Sequence, residues 1–363
     1  MPTADLSVVV ANYNHAAKLP RALDAILSQS VRPREVLVID DASDRDDSRA
    51  VIEAYARRDA VVKPVWHARN QGVCATYNEG LAAAVGEYVV LAAADDYVLP
   101  GFFEKLLTQL DRHPDCGIAC AHGAYRVGDG PVGVVPHAWP ERSGFYTSDE
   151  VCAAVRRGIP GHANVCRRKR LVEVGGLRPE LAWYSDWLAW LLIAFRGGCC
   201  YVPETLSVTI LQPESYSGAG FRDRTRNVGA LAALLDRLTS PDTADAAPYF
   251  RRNGSIAFLG TDLIRAAAGR LDCWSKPVLG LLNGFTLDDY RGLLDDPDPA
   301  VRELAAFFLG PFWQDAEREK AERDAELVHL KNLLARAEAE ALPPGIGGKL
   351  RWLAGRAARR LAG

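Results

Sequence analysis

The chain has 363 residues, 48% hydrophobic and 25% charged, which fits a soluble globular protein with one large domain and appendages, or with two domains. Its net charge of −3 lacks the Lys/Arg surplus that neutralising nucleic-acid phosphates requires, so no nucleic-acid partner is expected. Eight cysteines without CxxC spacing read as buried thiols of a reducing cytosol rather than a zinc site or disulfide framework, and no apolar run approaches the ~18 residues of a membrane span.

The start, MPTADLSVVVANYN, has no basic n-region and predicts a strand over 6–11 rather than a signal peptide. Leu19, Leu23, Ile26 and Leu27 then fall at helical spacing. Further strands are predicted over 35–40 (EVLVID), 61–66 and 87–92, and helices over 75–85 and 101–110. Strands alternating with helices predict βαβ units and a mostly parallel sheet. In such sheets ligands bind beyond the carboxyl ends of the strands. Those ends carry Asn12, Tyr13 and Asn14, then Asp40 and Asp41, then Asp95 and Asp96. Three strands therefore deliver polar groups to one edge.

A further strand in CGIACAHGAYRV runs into a Gly/Pro-rich loop over 128–144, suited to a flexible flap. A helix near 148–157, a strand over 163–167, a strongly apolar helix over 185–195 and a short strand in CCYVPE follow. Strand signals stop after PESYSGAG (213–220). Residues 221–312 read as an all-α appendage, and 313–342 as a charged helix or short coiled coil with Leu327, Leu330, Leu334, Ala337 and Ala341 on its seam. The tail, 343–363, holds Lys349, Arg351, Arg356, Arg359 and Arg360 without an acid. It reads either as a solvated tail or as a basic amphipathic helix on an anionic membrane surface.

Two adjacent carboxylates after a strand suit a turn or helix cap. They equally suit a Mn²⁺ or Mg²⁺ that binds a diphosphate, since such cations use one or two carboxylates with water and phosphate oxygens. Asp186 likewise suits a helix N-terminus or a general base. His162 reads as structural or as an acceptor contact, and Trp183 and Tyr184 as core or as aromatics that stack on an acceptor sugar.

The ordered blocks at 8–46, 69–102 and 184–198 resemble the family 2 glycosyltransferases, inverting enzymes with a GT-A fold. The resemblance covers about 5–217 and implies a Rossmann-like, mostly parallel sheet flanked by helices as residues 1–220. It implies a nucleotide site made by Tyr13 on the base, Asp40 and Asp41 at the base's imide, Asn70 and Gly72 along the nucleotide, and Asp95 at the ribose. Asp96 with Asp95 would hold the metal, and Asp186 would be the general base. Two positions depart from the family pattern: Tyr77 stands where an Arg is usual, and Ala93 where the first acid is usual. The resemblance implies transfer from a nucleotide-diphosphate sugar, a UDP-sugar favoured, to a glycan or lipid-linked glycan in surface polysaccharide assembly, by a cytoplasmic protein peripheral to the plasma membrane. The alternative is a non-catalytic scaffold of the same fold that forms homo-oligomers through its C-terminal helix.

Overall fold

The computed structural model describes residues 2–128, 130–134, 139, 141–155, 157–268, 281–282 and 285–318, without the side chains of 311–318. The chain divides into two compact units, 1–253 and 254–363.

In the first unit the elements run β1 (Thr3–Asn12), α1 (Leu19–Leu27), β2 (Arg32–Asp40), α2 (Ser48–Arg58), β3 (Val62–Trp66), α3 (Val73–Ala83), β4 (Tyr88–Ala93), β5 (Tyr97–Val98) and α4 (Phe102–Arg112). They continue with β6 (Ile118–Val127), β7 (Val132–Val134), β8 (Gly144–Tyr146), α5 (Ser148–Ala154), β9 (Asn164–Arg167) and α6 (Arg168–Glu173). A 3₁₀ turn (Pro179–Tyr184), α7 (Ser185–Gly197), β10 (Cys199–Leu211), α8 (Tyr216–Arg222), α9 (Arg224–Leu238) and α10 (Ala247–Asn253) complete it.

The sheet has the order β3-β2-β1-β4-β9-β6-β10-β5, with β7 on β6 and β8 on β10. β1 is parallel to both β2 and β4. Leu6, Val8, Val9 and Val10 are wholly buried there, because a parallel strand covered by helices is apolar on both faces. β9 is antiparallel to β4 and β6 and splices the pair β6/β10 onto the parallel half.

Opposite the strands' carboxyl ends, the sheet is closed by a buried carboxylate. Glu35 accepts from Ser7 Oγ (2.6 Å), Val85 N (2.9 Å) and Lys63 Nζ (2.7 Å). Burial opposes its charge, yet the hydrogen bonds from Lys63, Ser7 and Val85 outweigh that and leave its pKa below the usual range. Beside it, a Cβ on Gly86 would lie 2.7 Å from Ser7 N and 2.9 Å from Asp5 O. Only glycine lets the turn before β4 approach β1 so closely.

The structure departs from the sequence expectations in several elements. α2 was not predicted: it buries only Ser48, Ile52 and Tyr55, too sparse an apolar face to show a helical period. β5 is two residues long. The strand expected only in CCYVPE runs on to Leu211, because Leu206, Val208 and Ile210 stay buried beside β6. The loop expected over 128–144 carries β7, paired to β6, before its remaining length passes through residues not described.

The second unit holds a 3₁₀ turn (Ser255–Leu259), α11 (Asp262–Ala268), α12 (Leu287–Arg291) and α13 (Pro299–Arg318). Within it Tyr290 stacks on Phe308 at 4.7 Å, and Arg265 pairs with Asp262 (2.7 Å) and Asp296 (2.8 Å). The predicted coiled coil beyond Arg318 and the basic tail lie outside the described residues. Among the described residues, no helix is long and apolar enough to cross a membrane.

Candidate active site

Two loops at the carboxyl edge are clipped together by side chains. Asp40 accepts from Asn12 Nδ2 (2.7 Å), Ser43 Oγ (2.6 Å) and Ser43 N (3.1 Å). Asn14 N donates to Ser43 Oγ (2.8 Å), and Asn14 Oδ1 accepts from Asp44 N (3.0 Å) and Arg45 N (2.9 Å). Asn14 (φ 56°) and Ala42 (φ 61°) hold positive φ, a strained conformation for residues with a Cβ that concentrates at functional sites. Tyr13 projects from this clip, half-buried, with its hydroxyl 3.4 Å from Asp44 Oδ1 and the Arg45 guanidinium 5.6 Å from its ring.

Asp41, buried at the next position, organises a third loop. Its Oδ1 accepts from His67 Nδ1 (2.6 Å) and Gln71 N (2.7 Å), and its Oδ2 from Gly72 N (2.9 Å). Gly72 has φ 88° and open space where a Cβ would sit, and Asn70 is exposed beside it. His67 carries the load on the other side, with Nε2 3.0 Å from Glu79 Oε2. Burial lowers the His67 pKa, but the hydrogen bonds to Asp41 and Glu79 outweigh it and raise the value. The sequence reading passed over His67. Its only signal was a polar residue immediately after the third predicted strand.

Asp95 and Asp96 follow β4 and are both buried. Asp96 Oδ1 accepts from Ile210 N (2.7 Å), and its Oδ2 lies 2.9 Å from His162 Nε2. Asp95 Oδ2 accepts from Gln212 Nε2 (3.5 Å) and faces His15 Nε2 at 4.0 Å. Burial first, then repulsion from Asp96, raises the Asp95 pKa. Asp186 opens α7, its Oδ1 accepting from Trp187 N (2.7 Å). A Cβ on Gly161 would come within 2.6 Å of Asp186 Oδ2, so that glycine leaves the carboxylate its room. Burial raises the Asp186 pKa against the opposing charge of His162. Asp95 and Asp186 accept fewer side-chain hydrogen bonds than Glu35, and their pKa values are raised where that of Glu35 is lowered; perturbed values of this kind cluster at functional sites.

His162 joins the group. Burial opposes its charge, but attraction to Asp96, the hydrogen bond to it, and the charges of Asp186 and Asp95 push its pKa up to about 9. Its Nδ1 is buried without a partner. The folded value lies above the ordinary 6.5, so this imidazolium's stabilisation is complete below pH 6.5 and fades as pH rises through 9. In metal-free buffer with chelator, unfolding free energy measured by denaturant should therefore fall from pH 7 to pH 9.5 more steeply in the wild type than in His162→Gln. Parallel slopes would refute the pairing.

Tyr77, which stands where the resemblance expects an Arg, is buried, and burial and then the charges of Asp96, Asp95 and Asp186 hold its phenol neutral. Cys74 sits near Ser185 and Asp186, and burial pushes its thiol up to about 11, which makes it an inert neighbour rather than a nucleophile. The 3₁₀ turn before α7 contains Ala182 at φ 47°. Next come Trp183, half-buried with Nε1 3.3 Å from Asn227 Oδ1, and Tyr184, buried with its hydroxyl 2.7 Å from the same atom. The structure thus gathers Asp95, Asp96, His162 and Asp186 around one space. Asp40 and Asp41 hold the loops that carry Tyr13, Asn70 and Gly72.

No three His, Cys, Asp or Glu side chains among the described residues converge as a metal site. Two neighbouring buried carboxylates, one raised in pKa by burial and then by the other, nevertheless fit a hard divalent cation that takes its other ligands from water and a diphosphate.

A sheet of this order, flanked by helices and with carboxylates gathered at its carboxyl edge, is that of the GT-A class of fold. Residues 7–175, just under half of the chain, match the model of glycosyl transferase family 2. The chain is similar to an uncharacterised protein of Mycobacterium tuberculosis, 29% identical over 239 residues covering 63% of this chain and 66% of that one. It is also similar to an uncharacterised glycosyltransferase of Nostoc sp., 37% identical over 103 residues covering 28% and 31% of the two chains. The chain thus spans less than two thirds of the length of either relative. A crystal structure of residues 1–349 of Staphylococcus aureus TarS in complex with UDP-GlcNAc shares the fold, with TM-score 0.57, 15% identity and coverage of 94% of this chain and 91% of that one.

Proposed function

We propose that this protein transfers a sugar from a nucleotide-diphosphate sugar to a hydroxyl of a glycan acceptor, with inversion at the anomeric carbon. The observation that carries the reading is Asp186: a half-buried carboxylate of raised pKa that shares the charge of His162 with Asp96 and Asp95. The acceptor oxygen forms its bond to the anomeric carbon, and its proton passes to Asp186. The bond to the donor's β-phosphate oxygen breaks, and the nucleoside diphosphate leaves with the electron pair. Raised basicity suits Asp186 to accept that proton near neutral pH. Attack from the Asp186 side, opposite the leaving diphosphate, inverts the centre.

Tyr13 packs on the nucleotide base. Asp41 keeps an Oδ2 lone pair for the base's imide N–H, while Asp40 holds the loops and Asn70 and Gly72 line the nucleotide. Asp95 serves the ribose and, with Asp96, would hold Mn²⁺ or Mg²⁺, which when bound supplies positive charge to the departing diphosphate. TarS, the structural neighbour, was crystallised with UDP-GlcNAc, which makes uridine the first base to test. The reading extends to a lipid-linked glycan acceptor in surface polysaccharide assembly, with residues 343–363 resting on the inner face of the plasma membrane.

The test is a thermal-shift series of UDP, GDP, CDP and dTDP with and without Mn²⁺. A ligand at ~100 times its Kd adds about 2.7 kcal/mol, a rise of roughly 5 °C or more for a unit of this size. UDP with Mn²⁺ is expected to give it. If none of the four shifts the transition, the donor assignment is wrong.

A further inference from the structure

Beside the base lies a group of aromatic rings that the reaction above does not use. Tyr216 and Phe221, on α8, are 46% and 50% exposed. Both rings meet Trp183 edge to face, Tyr216 at 5.9 Å and 70°, Phe221 at 5.6 Å and 62°. Trp183 itself is held fast. Its Nε1 bonds Asn227, the Arg226 guanidinium lies 5.7 Å from its ring, and a Cβ on Gly220 would stand 2.0 Å from it. The backbone of α8 therefore abuts the indole, and any side chain at position 220 would push it out.

The group lies near Asp186 in the chain and through Cys74. Trp183 is three residues from Asp186, and Cys74, which neighbours Ser185 and Asp186, is close enough to Tyr216 to act on its phenol. Leaving two large aromatics half-exposed forgoes part of the stabilisation their burial would give, and a corner of such rings beside a candidate catalytic acid marks a binding surface. We propose that Trp183, Tyr216 and Phe221 form a stacking platform for one sugar ring of the acceptor, an inference that rests on the reading of Asp186 as the base. A pyranose has an apolar face of polarised C–H groups, which the negative face of an aromatic ring attracts, and a rim of hydroxyls. Here the rim is met by the Tyr216 hydroxyl and the Arg226 guanidinium. A membrane-inserting patch would instead present a broad convex apolar surface, and two rings cornered against a fixed tryptophan do not make one.

The experiment uses the full chain with UDP and Mn²⁺ on an oligosaccharide array, and separately on phosphatidylglycerol vesicles. The wild type should bind at least one array saccharide. The double variant Tyr216→Ala/Phe221→Ala should bind it about tenfold or more weakly while keeping the wild-type thermal shift with UDP, which shows fold and donor site intact. Should the double variant not fold, Tyr216→Ser alone makes the same comparison. Absence of saccharide binding by the wild type, equal binding by the variant, or a loss confined to vesicles overturns the platform. Asp186→Asn separates the two readings, since it should keep array binding and lose transfer. If it keeps transfer while the aromatic variant loses array binding, the base assignment falls and the platform stands.

Discussion

Asp186→Asn is expected to lower sugar transfer by about 10²–10⁴-fold and to leave the thermal shift with UDP unchanged. The amide keeps the volume of the carboxyl and can still accept from Trp187 N through its oxygen, so the start of α7 persists. What it loses is the ability to take a proton. Stability provides a second, independent readout. Burial raises the Asp186 pKa, so its ionised form is disfavoured in the folded state, and at neutral pH the charge weakens the fold. Removing that charge should leave the melting temperature equal or higher, as is common when a site is shaped for activity at the expense of stability. Initial rates and a thermal melt on one preparation decide the matter. Turnover like that of the wild type ends the base assignment, and a clear fall in melting temperature would make Asp186 a helix-terminal residue of structural value only.

The second large effect is expected at Asp41. Asp41→Ala removes the acceptor for His67 Nδ1, Gln71 N and Gly72 N together. The His67 side chain, 3% exposed, would keep only Glu79 as its carboxylate partner. Breaking a buried charged pair by deleting one member destabilises by about 3–5 kcal/mol, and the freed loop would no longer present Asn70 and Gly72. Denaturant unfolding should show that loss, and the UDP-dependent thermal shift should vanish. Asp41→Asn should retain part of both, since its single oxygen can still accept from the loop. An Asp41→Ala protein that answers UDP as the wild type does would remove Asp41 from the nucleotide site.

Much of the parallel half of the sheet was legible in the sequence because its signals are local. An apolar run such as LSVVVA ends where polar residues begin, and that end marks the carboxyl edge whatever the rest of the chain does. The elements that escaped notice have non-local causes. α2 shows too little apolar surface to display a period, and the second half of β10 is a strand because β6 and β5 flank it. That half matters to the site. Ile210 N fixes Asp96, and Gln212, just beyond the strand, reaches Asp95.

The same division holds for chemistry. The sequence alone determined which residues stand at the strand ends and at the start of α7: Tyr13, Asp40, Asp41, Asp95, Asp96 and Asp186. Residue type at a chain position is local information, and so is the end of a hydrophobic run. It could not tell one of these carboxyls from another. Glu35, fully hydrogen-bonded, is held below the usual carboxylate range, while Asp95 and Asp186 are pushed above it. His67 is drawn onto Asp41 from 26 positions away, and His162 onto Asp96. Only the tertiary structure decided these, because a pKa depends on what surrounds a group in space, and those surroundings come from segments remote in the chain.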